Sequence, residues 1–203
     1  MKRIVPMEKE SALLIVDVQN DFCPGGALGV AGGDEIIPFI NRYIELFRKD
    51  GRLIIASRDW HPSVSRHFRE FGGIWPVHCV QDSNGAKFHS GLLLPPESLV
   101  FSKGMNPLLD DYSALQARNE SEMSMSEFLK EAGIRCLYIC GLATDYCVLQ
   151  SALNGLRQGF AIVVLTDAVR GVDMEQGDSE RALAEMIAAG VILTSIDKLL
   201  PSG

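Results

Sequence analysis

Six short apolar runs punctuate the chain: SALLIVDVQ (11–19), RLIIASRD (52–59), SLVFSKG (98–104), RCLYICG (135–141), AIVVLTDA (161–168) and VILTS (191–195). They are β-branched and apolar almost throughout rather than alternating, which is the pattern of strands covered on both faces. Between the runs the spacing changes to threes and fours. Ile36, Ile37, Ile40, Tyr43, Ile44 and Phe47 predict one helix, and Phe128 and Leu129 follow the capping-box-like SMSE at 124–127. The stretch after Thr144 predicts a third helix, and SERALAEMIAAG a fourth that stops at Gly190. Strand and helix in alternation predict an α/β fold, a three-layer α/β/α unit around a mostly parallel six-stranded sheet. No repeat, low-complexity tract or Pro/Gly-rich linker divides the chain, so a single domain over 1–203 is expected. Segment 60–97, with its Pro, Gly, His and Trp, is a long irregular connection of the kind that often carries function.

The ends of these runs carry the chemistry. Asp17 closes the first predicted strand, Asp59 and His61 the second, Lys103 the third, and Cys147 follows the fourth. In an open parallel sheet the carboxyl ends of the strands share one edge, and ligands bind in the crevice there. Carboxylate, imidazole, amine and thiol are therefore expected to meet.

Composition narrows the class. The 203 residues suffice for one sizeable core, and the longest apolar runs are far too short to span a bilayer. The N-terminus starts basic, but charged residues follow at once and no small-residue cleavage site appears, so no signal peptide is expected and a cytoplasmic location is. A net charge of −7 argues against nucleic-acid or anionic-membrane partners. Five cysteines is an odd count without any Cys-x-x-Cys pair, which argues against a disulfide framework and a zinc ribbon. The expected partner is a small-molecule substrate, and a homo-oligomer stays open.

Each candidate has a plain alternative. Cys147 could be a buried small hydrophobe. Its place in a helix's first turn, which Thr144 or Asp145 can cap, favours a thiolate and offers amides to an oxyanion. Cys136 and Cys140 lie within a strand and read as core, and nothing in the spacing of Cys23 or Cys79 makes them nucleophiles. Asp17 could be a strand-end turn residue, yet a carboxylate after LLIV is costly to bury unless paired. Lys103, beside Gly104, could be a solvated loop lysine. Asp59, His61, His67 and His78 form either a hydrogen-bonded loop cluster or a site for one divalent transition metal, such as zinc, iron or manganese. His89 has no partner in the pattern and reads as a surface residue.

Taken in order, DVQNDFCPGGALGV, SRDWHP, WPVHCVQ, SKGMNP with DYSA, GLATDYCV and TDAVRGV make the chain resemble the nicotinamidases (pyrazinamidases) of the isochorismatase-like cysteine hydrolase superfamily, nearly end to end. The resemblance implies hydrolysis of nicotinamide to nicotinate and ammonia in NAD salvage, and of pyrazinamide. Cys147 would attack the carboxamide carbon, Asp17 would move the proton, and Lys103 would stabilise charge between them. The amides of Ala143 and Cys147 would form the oxyanion hole, beside a cis peptide at Leu142–Ala143. Asp59, His61 and His78 would hold the metal, with zinc foremost. His67 stands where some members carry a further ligand. Phe22, Trp75 and Tyr112 would wall the ring pocket, with Leu28 and Tyr146 nearby. The alternatives are another superfamily hydrolase, acting on a carbamoyl or other heteroaromatic amide, or a non-catalytic metabolite binder. Segment 113–125 departs from the usual short aromatic-containing stretch and reads as a polar, mobile rim.

Overall fold

A computed structural model describes residues 5–6 and 10–200 of the chain. A two-residue strand β1 (Val5–Pro6) precedes β2 (Ser11–Val16), α1 (Ile37–Lys49), β3 (Leu53–Asp59) and β4 (Leu99–Lys103). After these come α2 (Met125–Glu131), β5 (Cys136–Leu142), α3 (Leu149–Arg157), β6 (Ala161–Arg170), α4 (Asp178–Ala189), β7 (Ile192–Thr194) and β8 (Leu199–Leu200). Six strands form one sheet in the order β4-β3-β2-β5-β6-β7, every pair parallel, while β1 pairs only with β8. Among the described residues no helix is long and apolar enough to cross a membrane.

The near-continuous apolar runs are explained by two cores. Leu13 and Ile15 of β2 point to one face and Ala12, Leu14 and Val16 to the other, because side chains alternate along a strand. The first face is covered by α1, through Ile37, Ile40, Tyr43, Ile44 and Phe47, helped by the long loops. The second is covered by α2, α3 and α4, through Met125, Leu129, Ala152, Ala182 and Met186. Both faces are covered, so the strands needed no solvent-facing side.

Local signals act as the pattern predicts at two helix ends. Ser124 accepts from the Glu127 amide while the Glu127 carboxylate accepts from the Ser124 amide, a complete capping box for α2. Gly190 ends α4 with φ of 106°. Segment 113–125 differs in part from its polar reading. Ala114, Leu115, Ala117 and Met125 are wholly buried or nearly so, and Arg118 bridges by its backbone to Ser102 and Ser124. Apolar residues at its two ends anchor this stretch to the second core, while Gln116, Arg118, Glu120, Ser121 and Glu122 remain exposed as a polar rim.

Candidate active site

Strands β4, β3, β2 and β5 are consecutive neighbours, so their carboxyl ends form one continuous edge. Register then sets the partners. Asp59 is level with Lys103, and Val16 is level with both Ser57 and Gly141. Asp17 follows β2 with a left-handed φ of 49°, its amide bonded to the Ser57 carbonyl at 3.2 Å. Gly141, with φ of 113°, must lack a side chain because a Cβ there would run into the Val16 backbone. That close approach brings the end of β5 against the end of β2.

Lys103 is the hub of this edge. Its ammonium reaches Asp17 Oδ2 at 2.9 Å and Cys147 Sγ at 3.5 Å, and it also bonds Asp59 Oδ1. Its hydrogen bonds go to Asp59 and Cys147, its contact with Asp17 is an ion pair that leaves Asp17 Oδ2 without a hydrogen bond among the described residues, and it is 3% exposed. Ser57 donates its hydroxyl to Asp17 Oδ1 at 2.7 Å. One ligand atom each from Asp17, Asp59 and Cys147 lie within 4.8 Å of one another.

Burial and charge set the proton affinities. Burial raises the Asp17 carboxyl above its ordinary value, and the charge of Asp59 adds to this, against the opposing pull of Lys103 and Ser57. Burial acts upward on Asp59 too, but the charge of Lys103 and the imidazoles of His61 and His78 outweigh it and hold Asp59 well below the usual range. Burial disfavours the charge on Lys103, yet Asp17, Asp59 and Cys147 more than offset it, so the ammonium is firmly held. Burial pushes the Cys147 thiol well up, and the two carboxylates push with it. The thiolate-favouring position at a helix start is therefore opposed by the surroundings the fold supplies. Full desolvation and nearby anions outweigh the helix end and Lys103, so the resting sulfur is a thiol.

The capping expectation is corrected. The turn bearing the thiol, Thr144–Val148, is wound as a π-helix on Ala143, with the Val148 amide on the Ala143 carbonyl at 3.0 Å, and no side chain caps it. Asp145 turns its carboxylate away, accepting from the Val172 amide at 2.9 Å and the Asp173 amide at 2.8 Å. The peptide Leu142–Ala143 is cis, as expected. Cys136 and Cys140 are buried in β5, and burial raises the thiols of Cys23, to about 11, and Cys79. His89 does have a partner: its Nδ1 accepts from the Gly91 amide at 3.1 Å.

Beside this hub lie the imidazoles. The His61 amide bonds the Cys79 carbonyl and the Gln81 amide bonds the His61 carbonyl, at 3.0 and 2.9 Å, so the chain around His78 is strapped alongside His61. Residues 67–75 close back on themselves, with the Arg69 amide on the Trp75 carbonyl at 2.7 Å, which brings in His67. One ligand nitrogen each from His61, His67 and His78 lie within 4.8 Å of one another. Each Nδ1 is engaged by an oxygen that can only accept: Gly104 O for His61 at 3.1 Å, Asp110 for His67 at 2.5 Å and Pro76 O for His78 at 2.8 Å. Nδ1 therefore donates in each ring, which leaves Nε2 as the nitrogen free to face the centre of the cluster. His61 Nε2 is buried with no hydrogen-bond partner among the described residues. Asp59 Oδ2 faces it at 3.6 Å and faces His78 Nε2 at 3.8 Å. An orphaned buried nitrogen, further imidazoles and a carboxylate form a donor set that fits a divalent transition metal.

The cavity in front of Cys147 holds about 390 Å³ of space, mouth included. Phe22, Leu28, Trp75, Tyr112 and Tyr146 line it, together with His67, His78 and Ala143. Trp75 donates Nε1 to the Tyr112 hydroxyl at 3.0 Å and meets the Tyr146 ring edge-on at 4.8 Å. The sequence reading missed Asp111 and Val172 in the lining. It also missed Ser57, and Gln19, whose buried amide group grips the Asp59 backbone at 2.8 Å in both directions. A serine inside LIIASRD was the available signal for the first.

A model of the isochorismatase domain matches residues 11–198. The nicotinamidase of Escherichia coli (strain K12) is 41% identical over 201 residues, covering 91% of this chain and 94% of that protein. The crystal structure of the pyrazinamidase of Pyrococcus horikoshii in complex with zinc is 44% identical, with a TM-score of 0.84 over 92% of this chain and 99% of that one. The structure of L. infantum PnC1 in complex with nicotinate is 34% identical, with a TM-score of 0.87 over 98% of this chain and 100% of that one.

Proposed function

The chain belongs to the isochorismatase-domain family, and on that premise we propose that it hydrolyses nicotinamide to nicotinate and ammonia, feeding NAD salvage, and accepts pyrazinamide in the same pocket. The observation that carries the reading is the Lys103 ammonium bound at once to Asp17, Asp59 and Cys147, at the head of an aromatic-walled cavity.

An unactivated carboxamide is a poor electrophile, and covalent catalysis divides its hydrolysis into two easier steps. The Cys147 sulfur attacks the carboxamide carbon as Asp17 takes the thiol proton. Because the resting thiol holds its proton firmly, removal and attack go together, and the raised carboxyl of Asp17 is a stronger base than an ordinary aspartate. The developing oxyanion is received by the amides of Ala143 and Cys147. Asp17 passes the proton to the departing nitrogen, ammonia leaves, and a thioester remains. Asp17 then takes a proton from water as the water oxygen attacks the thioester, and returns it to the sulfur as the C–S bond breaks; the acid leaves as nicotinate, its proton going to solvent, and the Cys147 thiol and the Asp17 carboxylate are restored. Lys103 stays cationic throughout and balances the charge of Asp17. Asp59, His61, His67 and His78 would hold one divalent ion, zinc foremost. Such an ion would bind the pyridine nitrogen and draw electron density from the ring.

Ammonia release from nicotinamide by the zinc-loaded protein tests the proposal, with carbamoyl and other heteroaromatic amides as competitors. Cys147→Ala should stay folded, bind nicotinamide and release no ammonia, and intact-mass spectrometry of the wild type should trap the thioester. Retention of even about a tenth of the rate, a loss of only ~1.4 kcal/mol in transition-state binding, would remove Cys147 as nucleophile. Preference for a different amide would move the reading to another hydrolase of the family.

A further inference from the structure

The three imidazoles are not held alike. His61 and His78 give Nδ1–H to the backbone carbonyls of Gly104 and Pro76, which the chain path fixes. His67 gives Nδ1–H to a side chain, the Asp110 carboxylate, at 2.5 Å. Its own side chain is 5% exposed, whereas that of Asp110 is 59% exposed, so Asp110 closes over the ring from the solvent side. The two residues sit on separate segments tied by one backbone bond, from the Arg66 amide to the Pro107 carbonyl at 2.8 Å. The Asp110 segment also carries Gly104, which accepts from His61, and Tyr112, whose hydroxyl accepts from Trp75.

We infer that Asp110 is a positioning residue that makes His67 a full metal ligand in this chain. Its carboxylate fixes the ring's tautomer and rotation and turns Nε2 toward His61 and His78. Outer carboxylates that accept from a ligating histidine act in this way, and losing one weakens metal binding by about 10–100-fold. Because Asp110 and Tyr112 are two residues apart on one loop, the same hydrogen bond links the metal centre to the aromatic wall. The inference rests on the imidazole cluster being a metal site, as proposed above.

Zinc affinity of metal-stripped protein, measured by competition with a chromophoric chelator, reads this without any turnover. Asp110 is largely exposed, so Asp110→Ala should keep the wild-type melting temperature of the stripped protein while binding zinc about 10–100-fold more weakly. Asp110→Asn, which keeps an accepting oxygen, should recover most of the loss. His67→Ala should weaken binding at least as much, and adding Asp110→Ala to it should change nothing further. Cobalt-substituted Asp110→Ala should show an altered d–d spectrum. Wild-type zinc affinity in Asp110→Ala, or an equal loss from Asp110→Ala when His67 is already absent, would overturn the inference while leaving the metal site standing. A wild-type protein that takes up no zinc would instead overturn the metal-site reading beneath it.

Discussion

Ser57→Ala removes one hydroxyl from the buried edge and tests which group sets the acid limit of catalysis. The hydroxyl donates to Asp17 Oδ1 at 2.7 Å, and both residues are fully buried. A hydrogen bond to a charged group contributes about 1.5–3 kcal/mol. This one favours the ionised carboxylate and so holds the Asp17 pKa down against burial. At 1.36 kcal/mol per unit, its loss should raise that pKa by roughly one to two further units. Asp17 must be ionised to take the thiol proton, so kcat/KM rises with pH through its pKa, and the acid limb should move to higher pH in the variant. Stability should follow with a linked sign. A carboxyl whose folded pKa lies above its unfolded value of about 4 costs nothing below that value, and its penalty grows until the pH passes the folded pKa. The variant's stability deficit should therefore be small near pH 4 and grow as the pH rises through the folded pKa of Asp17, levelling off at about 1.5–3 kcal/mol above it. Kinetic profiles and urea melts across this range read the two effects, and the shift in the limb should match the change in the deficit. An acid limb that stays where it was, with a pH-dependent deficit intact, would show that Asp17 is not the base.

Three further outcomes follow from the same geometry. Benzamide, which matches nicotinamide in shape but lacks the ring nitrogen, should lose about 2–4 kcal/mol in kcat/KM, and His61→Ala should narrow that gap; equal specificity constants in the zinc-loaded enzyme would refute a ring–metal contact. Chelation of the metal should raise the KM for nicotinamide far more than it changes the rate of Cys147 alkylation, because the imidazoles sit on a loop separate from the thiol's turn; full activity in metal-free protein, checked by elemental analysis, would contradict this. Gly104→Ala should destabilise by about 1–3 kcal/mol and lower zinc content, since Gly104 has φ of 72° and a Cβ there would overlap the His61 ring; unchanged melting and metal content would show that His61 is not held by that carbonyl.

The sequence by itself determined the strands, the helices between them, and the residues at the strand ends. Runs such as ALLIV and AIVVL lack a polar face, which requires cover on both sides, and that alone implies parallel strands with their carboxyl ends on one edge. Asp17, Asp59, Lys103 and Cys147 were legible for this reason: residues that end a strand, or open the turn that follows it, stand at the crevice whichever neighbour the strand has. The neighbours themselves were decided by tertiary structure. Ser57 reaches Asp17, and Gln19 reaches Asp59, across 40 residues each, through a strand order and register that no local pattern encodes. The same holds for Asp110, whose bond to His67 spans 43 residues between two irregular loops. The protonation of Cys147 also waited on the fold. A helix end favours a thiolate in any sequence, but the burial and the two carboxylates that reverse it exist only once four strand ends are packed together. Period and termini are properties of a segment, whereas desolvation and hydrogen-bond partners are properties of what packs against it.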